Sequence, residues 1–70
     1  MNLLNAEAEK EYIIKNIETD DKEMDAFLFS LGYYSGEPIT VLRHIKAGCI
    51  VSVKDSRYTI DKQLASAIFI

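Results

Sequence analysis

The 70-residue sequence predicts a mainly β domain, a small and strongly bent barrel of about five strands with one α-helix inserted after the first strand. Three observations predict this fold class. An amphipathic helical pattern stops at Gly32, and short β-branched segments separated by turn residues fill most of the chain after it. Hydrophobic residues make up 49% of the chain, enough for one core in a single domain spanning residues 1–70.

The amino-terminal part of the chain predicts a short helical turn followed by a bent strand. Within the first nine residues, we expect a turn that places Leu3 or Leu4 beneath the domain. Four of the six residues at 12–17 are β-branched or aromatic, which is typical of a strand. The spacing of Ile14 and Ile17 breaks strict alternation, so the sequence predicts a bulge or bend near Asn16.

An apolar stripe predicts the inserted helix. Its members recur at i, i+3, i+4 and i+7 and are expected to face the core: Met24, Phe27, Leu28 and Leu31. Asp20 or Asp21 can cap the amino end, and Asp20 as the cap would place Glu23 in a capping box. We expect the helix to end at Leu31, because Gly32 can take the positive φ that follows a helix without a Cβ penalty.

Short strands are predicted after the helix. Pro38 has no N–H to donate to a ladder and suits the first position of a strand. A turn at residues 45–48 separates this strand from the next, in which Cys49, Val51 and Val53 alternate on one apolar face.

The last third of the chain predicts a tight hairpin, a helical turn and a closing strand. Asp55-Ser56 is the expected hairpin turn, and residues 57–60 are the returning strand. Asp61 is expected to cap a short helix, and residues 68–70 form the last strand.

Charge and composition exclude several classes of function. Residues 7–25 hold eight acidic side chains and three lysines, and the whole chain has a net charge of −3. No basic stripe is present, which disfavours a nucleic-acid partner, including an RNA- or ribosome-associated role. The sequence has no apolar run long enough to span a membrane and no signal-peptide pattern, so we expect a cytoplasmic protein without membrane insertion. The single cysteine agrees with a reducing compartment.

Five segments, in order and covering about the whole chain, resemble the ferrous iron transport protein A family (FeoA). They are Ile13-Ile-Lys-Asn-Ile17, Leu28-Phe-Ser-Leu-Gly-Tyr-Tyr-Ser-Gly36, Ile39-Thr-Val-Leu42, Ser56-Arg-Tyr-Thr-Ile60 and Leu64-Ala-Ser-Ala-Ile-Phe-Ile70. The sequence departs from the family pattern at two turns. Glu9-Lys10-Glu11 stands where members often have Pro-Gly, and Ser35 stands where proline is common.

The resemblance implies an SH3-like barrel that serves as a small cytoplasmic accessory of FeoB, the membrane ferrous iron transporter with its own GTP-binding domain. Such a protein acts by docking, not as an enzyme. The alternative is a metal-sensing or dimerising module related to the carboxy-terminal domain of iron-dependent repressors. An exposed barrel edge also offers a route to self-association by strand addition.

The candidate partner-binding residues are Phe29, Tyr33, Tyr34 and Arg57. Phe29 falls about 140° around the helix from Met24, and the two tyrosines follow in the next turn. Clustered aromatics are common at protein contacts. Two other interpretations stay open: one tyrosine, with Tyr33 favoured, plugs the barrel, or Phe29 and Tyr33 both complete the core. Arg57 in the hairpin is a weaker candidate.

No cofactor and no catalytic group are predicted, and the sequence does not assign a metal site. Cys49 is in phase with buried valines, and His44 could meet it across the hairpin, but two ligands do not make the three or four of a zinc or iron site. Any contact with Fe²⁺ would be weak or indirect. The acidic residues from Asp20 to Asp25 lack the spacing of a calcium loop and are explained by helix capping and solubility.

Overall fold

The chain folds into two antiparallel sheets joined by one interrupted strand. The computed structural model describes all residues, 1–70, and begins with a 3₁₀ turn at Leu3–Asn5. The elements that follow are β1 (Glu11–Ile13), β2 (Asn16–Ile17), α1 (Lys22–Leu31), β3 (Pro38–Ile45), β4 (Gly48–Val53), β5 (Ser56–Asp61), α2 (Lys62–Ala67) and β6 (Ile68–Phe69). The mainly β fold with a helix after the first strand is confirmed.

The bend predicted in the first strand lets that strand belong to both sheets. β1, β3, β4 and β5 form a four-stranded sheet in that order, and β2 pairs with β6. The interruption falls at Ile14-Lys15, where the Ile14 amide donates to the Glu37 carbonyl at 2.9 Å and the Lys15 amide donates to the Phe69 carbonyl at 2.8 Å. One segment is thereby bonded to both sheets, which closes the barrel.

The long hairpins differ in one detail from the sequence prediction. The β4–β5 turn consists of Lys54 and Asp55, with φ values of 52° and 63°, and Ser56 already belongs to β5. The prediction of an Asp55-Ser56 turn was therefore wrong by one residue. Two consecutive residues with positive φ give the right twist for a two-residue hairpin, although neither is the glycine or asparagine usually found there.

The core fills the space between the two sheets and α2. Its fully buried side chains include Leu3, Ile14, Ile39, Val41, Cys49, Val51, Val53 and Ile68. The predicted alternation of Cys49, Val51 and Val53 on one inward face is confirmed, and Leu3 rather than Leu4 is the residue tucked beneath the domain. The N-cap of α2 is Asp61, as predicted, and its side chain accepts from the Leu64 amide at 2.8 Å.

Helix α1 is only partly seated on this core, which corrects the expectation that its whole apolar stripe faces inward. Leu28 is buried and Leu31 is half-buried against the core, but Met24 and Phe27 are 39% and 58% exposed. The less exposed side of the helix runs through Asp25, Leu28 and Leu31, so it is rotated away from Met24 and Phe27. The N-cap is Asp21, so the alternative with Asp20 and a Glu23 capping box is not formed.

Candidate docking surface

The carboxyl end of α1 decides which aromatic side chains reach the surface. Gly32 has φ 101°, its amide donates to the Phe29 carbonyl at 3.0 Å, and the Tyr33 amide donates to the Leu28 carbonyl at 2.9 Å. These two bonds form a Schellman motif, in which the second residue after the helix makes an apolar contact with the helix's last turn. The motif turns Tyr33 into the core, in which Leu28 is also buried, and places Tyr34 next to Phe29.

Tyr33 is a core residue, 2% exposed, and it packs edge-on against Tyr58 with ring centroids 5.4 Å apart. Its hydroxyl is buried and has no hydrogen-bond partner. Burial raises the pKa of Tyr33 well above its ordinary value, with smaller contributions from Tyr58 and Cys49. Of the two tyrosines, Tyr33 is thus the one that plugs the barrel, and it supports the surface patch from below.

Phe29 and Tyr34 form an exposed aromatic pair. Phe29 is 65% exposed, the highest value among the large apolar side chains, and Tyr34 is half-buried. Their ring centroids lie 4.9 Å apart with an interplanar angle of 43°. The two rings flank a shallow depression of about 190 Å³ whose other lining residues are Asn16, Ile17, Asp25, Tyr33 and Ser35. We call Phe29, Tyr34 and this depression the aromatic patch.

Lys54, at the tip of the β4–β5 hairpin, holds one side of the aromatic patch in place. Its ammonium lies 5.3 Å from the centroid of the Tyr34 ring and 2.9 Å from a carboxylate oxygen of Glu37. The Tyr34 side chain and then Glu37 raise the pKa of Lys54. Its aliphatic stem crosses Gly32, where a Cβ would lie 2.6 Å from the Lys54 Cγ. Both the positive φ and this close approach therefore favour glycine at position 32.

Arg57 is placed apart from the aromatic patch. It is exposed on β5, where it pairs in register with Ser52, and it does not line the depression. The structure thus brings together Phe29 and Tyr34, puts Tyr33 beneath them and leaves Arg57 outside.

A second concavity, which no pattern in the sequence predicted, lies between α1 and α2. It measures about 940 Å³ and is lined by the β2–α1 connection, the first turns of α1, α2 and Phe69. We call it the interhelical groove. Its acidic residues are Glu18, Asp20, Asp21, Asp25 and Asp61, with Lys22 as the one basic residue. Acidic side chains at the amino ends of two helices were a usable signal, but nothing local in the sequence places those two helix ends side by side.

The possible metal ligands do not assemble into a site. His44 and Cys49 are cross-strand partners, but Nε2 of His44 lies 2.7 Å from the Ala6 carbonyl oxygen. The Cys49 side chain is fully buried, and burial raises the pKa of its thiol. No three His, Cys, Asp or Glu side chains lie close enough together to hold an ion. None of the helices has the length and apolar character that crossing a bilayer requires.

Comparison with known proteins gives one consistent result. The sequence pattern of the FeoA domain family matches residues 1–70. A crystal structure described as an iron uptake regulatory protein (FeoA) is 29% identical, with a TM-score of 0.83 over 97% of this chain and 91% of that one. No protein with a curated function matches the sequence significantly.

Two further solved structures share the fold at lower identity. Iron(II) transport protein A from Clostridium thermocellum is 23% identical, with a TM-score of 0.83 over 97% of this chain and 43% of that one. The FeoA protein from Chlorobium tepidum is 21% identical, with the same TM-score over 97% of this chain and 66% of that one. The chain therefore spans less than two thirds of the length of these two proteins.

Proposed function

Because the chain belongs to the FeoA domain family, whose members take part in ferrous iron transport, we propose that it docks on a cytoplasmic part of the membrane ferrous iron transporter FeoB. The contact surface is the aromatic patch. The chain works as a small accessory protein in the cytoplasm, through binding rather than chemistry.

The exposure of Phe29 is the observation that carries this proposal. A phenylalanine that leaves 65% of its surface in water gains little from folding at that position. Burial of the Phe29 ring against a partner would supply this hydrophobic stabilisation to the complex. Aromatic anchors of this kind are enriched among the residues that dominate binding energy.

The patch is also held in shape before any partner arrives. Phe29 packs against Tyr34 with its ring tilted, Lys54 lies over the Tyr34 ring, and Glu37 pairs with Lys54. Side chains already fixed in one arrangement lose less conformational entropy on binding, so more of the contact energy becomes affinity.

An accessory role agrees with the nature of the family, which is associated with transport and is not a known enzyme family. The aromatic patch offers a shallow depression of about 190 Å³, which is smaller than the roughly 300–1,000 Å³ that is typical of small-molecule sites. Its shape suits a protruding side chain of another protein.

Binding to detergent-solubilised transporter tests the proposal. The chain carrying Phe29→Ala and Tyr34→Ala should bind at least about tenfold more weakly than the unchanged chain, because hot-spot truncations cost about 2 kcal/mol or more. Phe27→Ala is the matched control. It removes an aromatic side chain that is 58% exposed on the same helix but lines neither concavity.

Equal loss of affinity in the control and in the double variant would refute the aromatic patch as the contact. Unchanged binding of the double variant would refute it as well. Arg57→Ala is measured alongside, and we expect less than a twofold change because its side chain lies outside the patch.

A further inference from the structure

The interhelical groove combines an apolar floor with an acidic rim. Its apolar lining comes from five residues, Ile17, Met24, Leu64, Ala67 and Phe69. Four of these are half-buried and Met24 is 39% exposed, so the floor presents apolar surface that nothing in the chain covers. Methionine adapts to partners of different shape because its side chain is unbranched and flexible.

The charge of the protein is concentrated in this groove. The groove holds five of the eleven acidic residues and one of the eight basic residues. Its lining therefore has a net charge of −4, while the rest of the chain, with six acidic and seven basic residues, has +1. The overall charge of −3 is thus a property of one concave surface and not of the protein as a whole.

The chain itself neutralises little of this charge. Both ion pairs of the molecule, Lys10 with Glu7 and Lys54 with Glu37, lie outside the groove. Asp21 and Asp61 are held by the helix amides they cap, and Asp25 accepts a hydrogen bond from the Thr19 hydroxyl. The side chains of Glu18 and Asp20 are exposed and have no hydrogen-bond or ion-pair partner within the chain, so these carboxylates are free to meet cationic groups from outside.

We propose that the interhelical groove binds a basic amphipathic helix of a partner protein. The apolar face of that helix lies on the floor, and its Lys or Arg side chains reach the acidic rim. Helices recognised in grooves use this arrangement of apolar anchors flanked by charges, and opposite charge favours both encounter and correct orientation. A nucleic acid or an acidic peptide would be repelled by the same rim.

This inference goes beyond the docking of the aromatic patch and does not depend on it. The groove and the patch are neighbours, since Ile17 and Asp25 line both concavities. They differ in chemistry, however, because the patch presents the Phe29–Tyr34 ring pair, whereas the groove has an apolar floor with five acidic residues around it. A peptide that binds the groove should therefore bind equally well when Phe29 and Tyr34 are replaced by alanine.

The probe is a synthetic peptide of about 16 residues made of Leu, Lys and Ala, with leucines at helical spacing so that they share one face. A scrambled peptide of the same composition and a peptide with Glu in place of Lys are the comparison ligands. Binding is measured by fluorescence anisotropy, and the site is mapped by amide chemical shifts in the ¹⁵N-labelled chain. We expect the lysine helix to shift the amides of Ile17, Leu64 and Phe69, and the two comparison peptides to bind at least fivefold more weakly.

Charge variants locate the rim. Glu18→Gln together with Asp20→Asn should weaken the lysine peptide about fivefold, and Met24→Ala should also weaken it. The control pair is Glu11→Gln with Asp55→Asn, which removes the same charge outside the groove. The control pair matches the rim pair closely in backbone conformation, because Asp20 and Asp55 have positive φ values of 60° and 63°, which asparagine tolerates.

The proposal is overturned if the lysine peptide does not bind, if the scrambled or glutamate peptide binds as well, or if the two charge pairs weaken binding equally. Shifts confined to the aromatic patch would overturn it too. Dimerisation of the chain through the groove would replace the partner helix by a second copy, and it would show as peptide binding that weakens as protein concentration rises.

Discussion

Replacing Tyr33 with Phe removes a single oxygen atom from the core, and it should stabilise the protein. The Tyr33 side chain is 2% exposed, and its hydroxyl is buried without a hydrogen-bond partner. Burying an unpaired hydroxyl costs about 1–3 kcal/mol in proteins. Phe keeps the ring that packs edge-on against Tyr58, so the packing is preserved and the cost of the unpaired group disappears.

We expect Tyr33→Phe to raise the free energy of unfolding by about 1 kcal/mol, because the small void left by the oxygen offsets part of the gain. For a domain of this size, that corresponds to a rise in Tm of about 4–8 °C. Urea unfolding monitored by circular dichroism gives the free energy, and the slope with urea should not change if the fold is the same.

The control is Tyr58→Phe, which removes a hydroxyl from a half-buried ring and should change stability by less than about 0.5 kcal/mol. A loss of 1 kcal/mol or more in Tyr33→Phe would refute the reasoning. It would mean that the hydroxyl has a partner in solution, such as a bound water or the thiol of Cys49.

Two further predictions concern the helix end and the effect of pH. Gly32→Ala should lower the free energy of unfolding by about 1–2 kcal/mol or more, since φ is 101° and the new Cβ meets the Lys54 stem. Gly36→Ala is its control, because φ there is 93° but no atom lies within 4 Å of the added Cβ. In urea unfolding, the larger loss of unfolding free energy in Gly32→Ala would measure the contact with Lys54. Equal losses in the two variants would contradict that contact. Stability should be highest below pH 9 and should fall as the pH rises through the ordinary pKa values of Cys49 (9.0) and Tyr33 (10.0). Burial raises both pKa values in the folded state, so the unfolded chain loses these two protons at lower pH than the folded chain does. The unfolding free energy should fall by at most about 1.4 kcal/mol per pH unit for each group. If the slope above pH 10 is the same in Tyr33→Phe as in the unchanged chain, Tyr33 is not one of the groups responsible.

Features encoded by neighbouring residues could be predicted from the sequence. The helix end at Leu31 follows from Gly32, because a Schellman motif needs one residue with positive φ at that place. The inward face of Cys49, Val51 and Val53 follows from the two-residue period of a strand. The cap at Asp61 is likewise a local hydrogen bond.

Features that depend on where two elements meet could not be predicted in the same way. Met24 and Phe27 have the spacing of core residues, but the core contacts α1 along the side that holds Leu28 and Leu31 and leaves Met24 and Phe27 exposed. Helical periodicity shows which residues share a face; it does not show how much of that face the rest of the domain covers.

The candidate surfaces show the same division. The aromatic patch was predictable as a cluster because Phe29 and Tyr34 are five positions apart across one helix end, although only the structure separates Tyr33 from them. The interhelical groove joins Asp20 with Asp61, which are 41 positions apart, and no local pattern could have paired them.

The proposed docking is tested most directly by a pull-down of the tagged 70-residue chain from membranes that carry the ferrous iron transporter, with and without guanine nucleotide. Membranes that lack the transporter and the Phe29→Ala, Tyr34→Ala variant are the controls. We predict that the unchanged chain recovers the transporter and that the variant does not, and dependence on nucleotide would identify the GTP-binding domain as the contact. If the unchanged chain leaves the transporter in the unbound fraction under both nucleotide conditions, the docking proposal is contradicted.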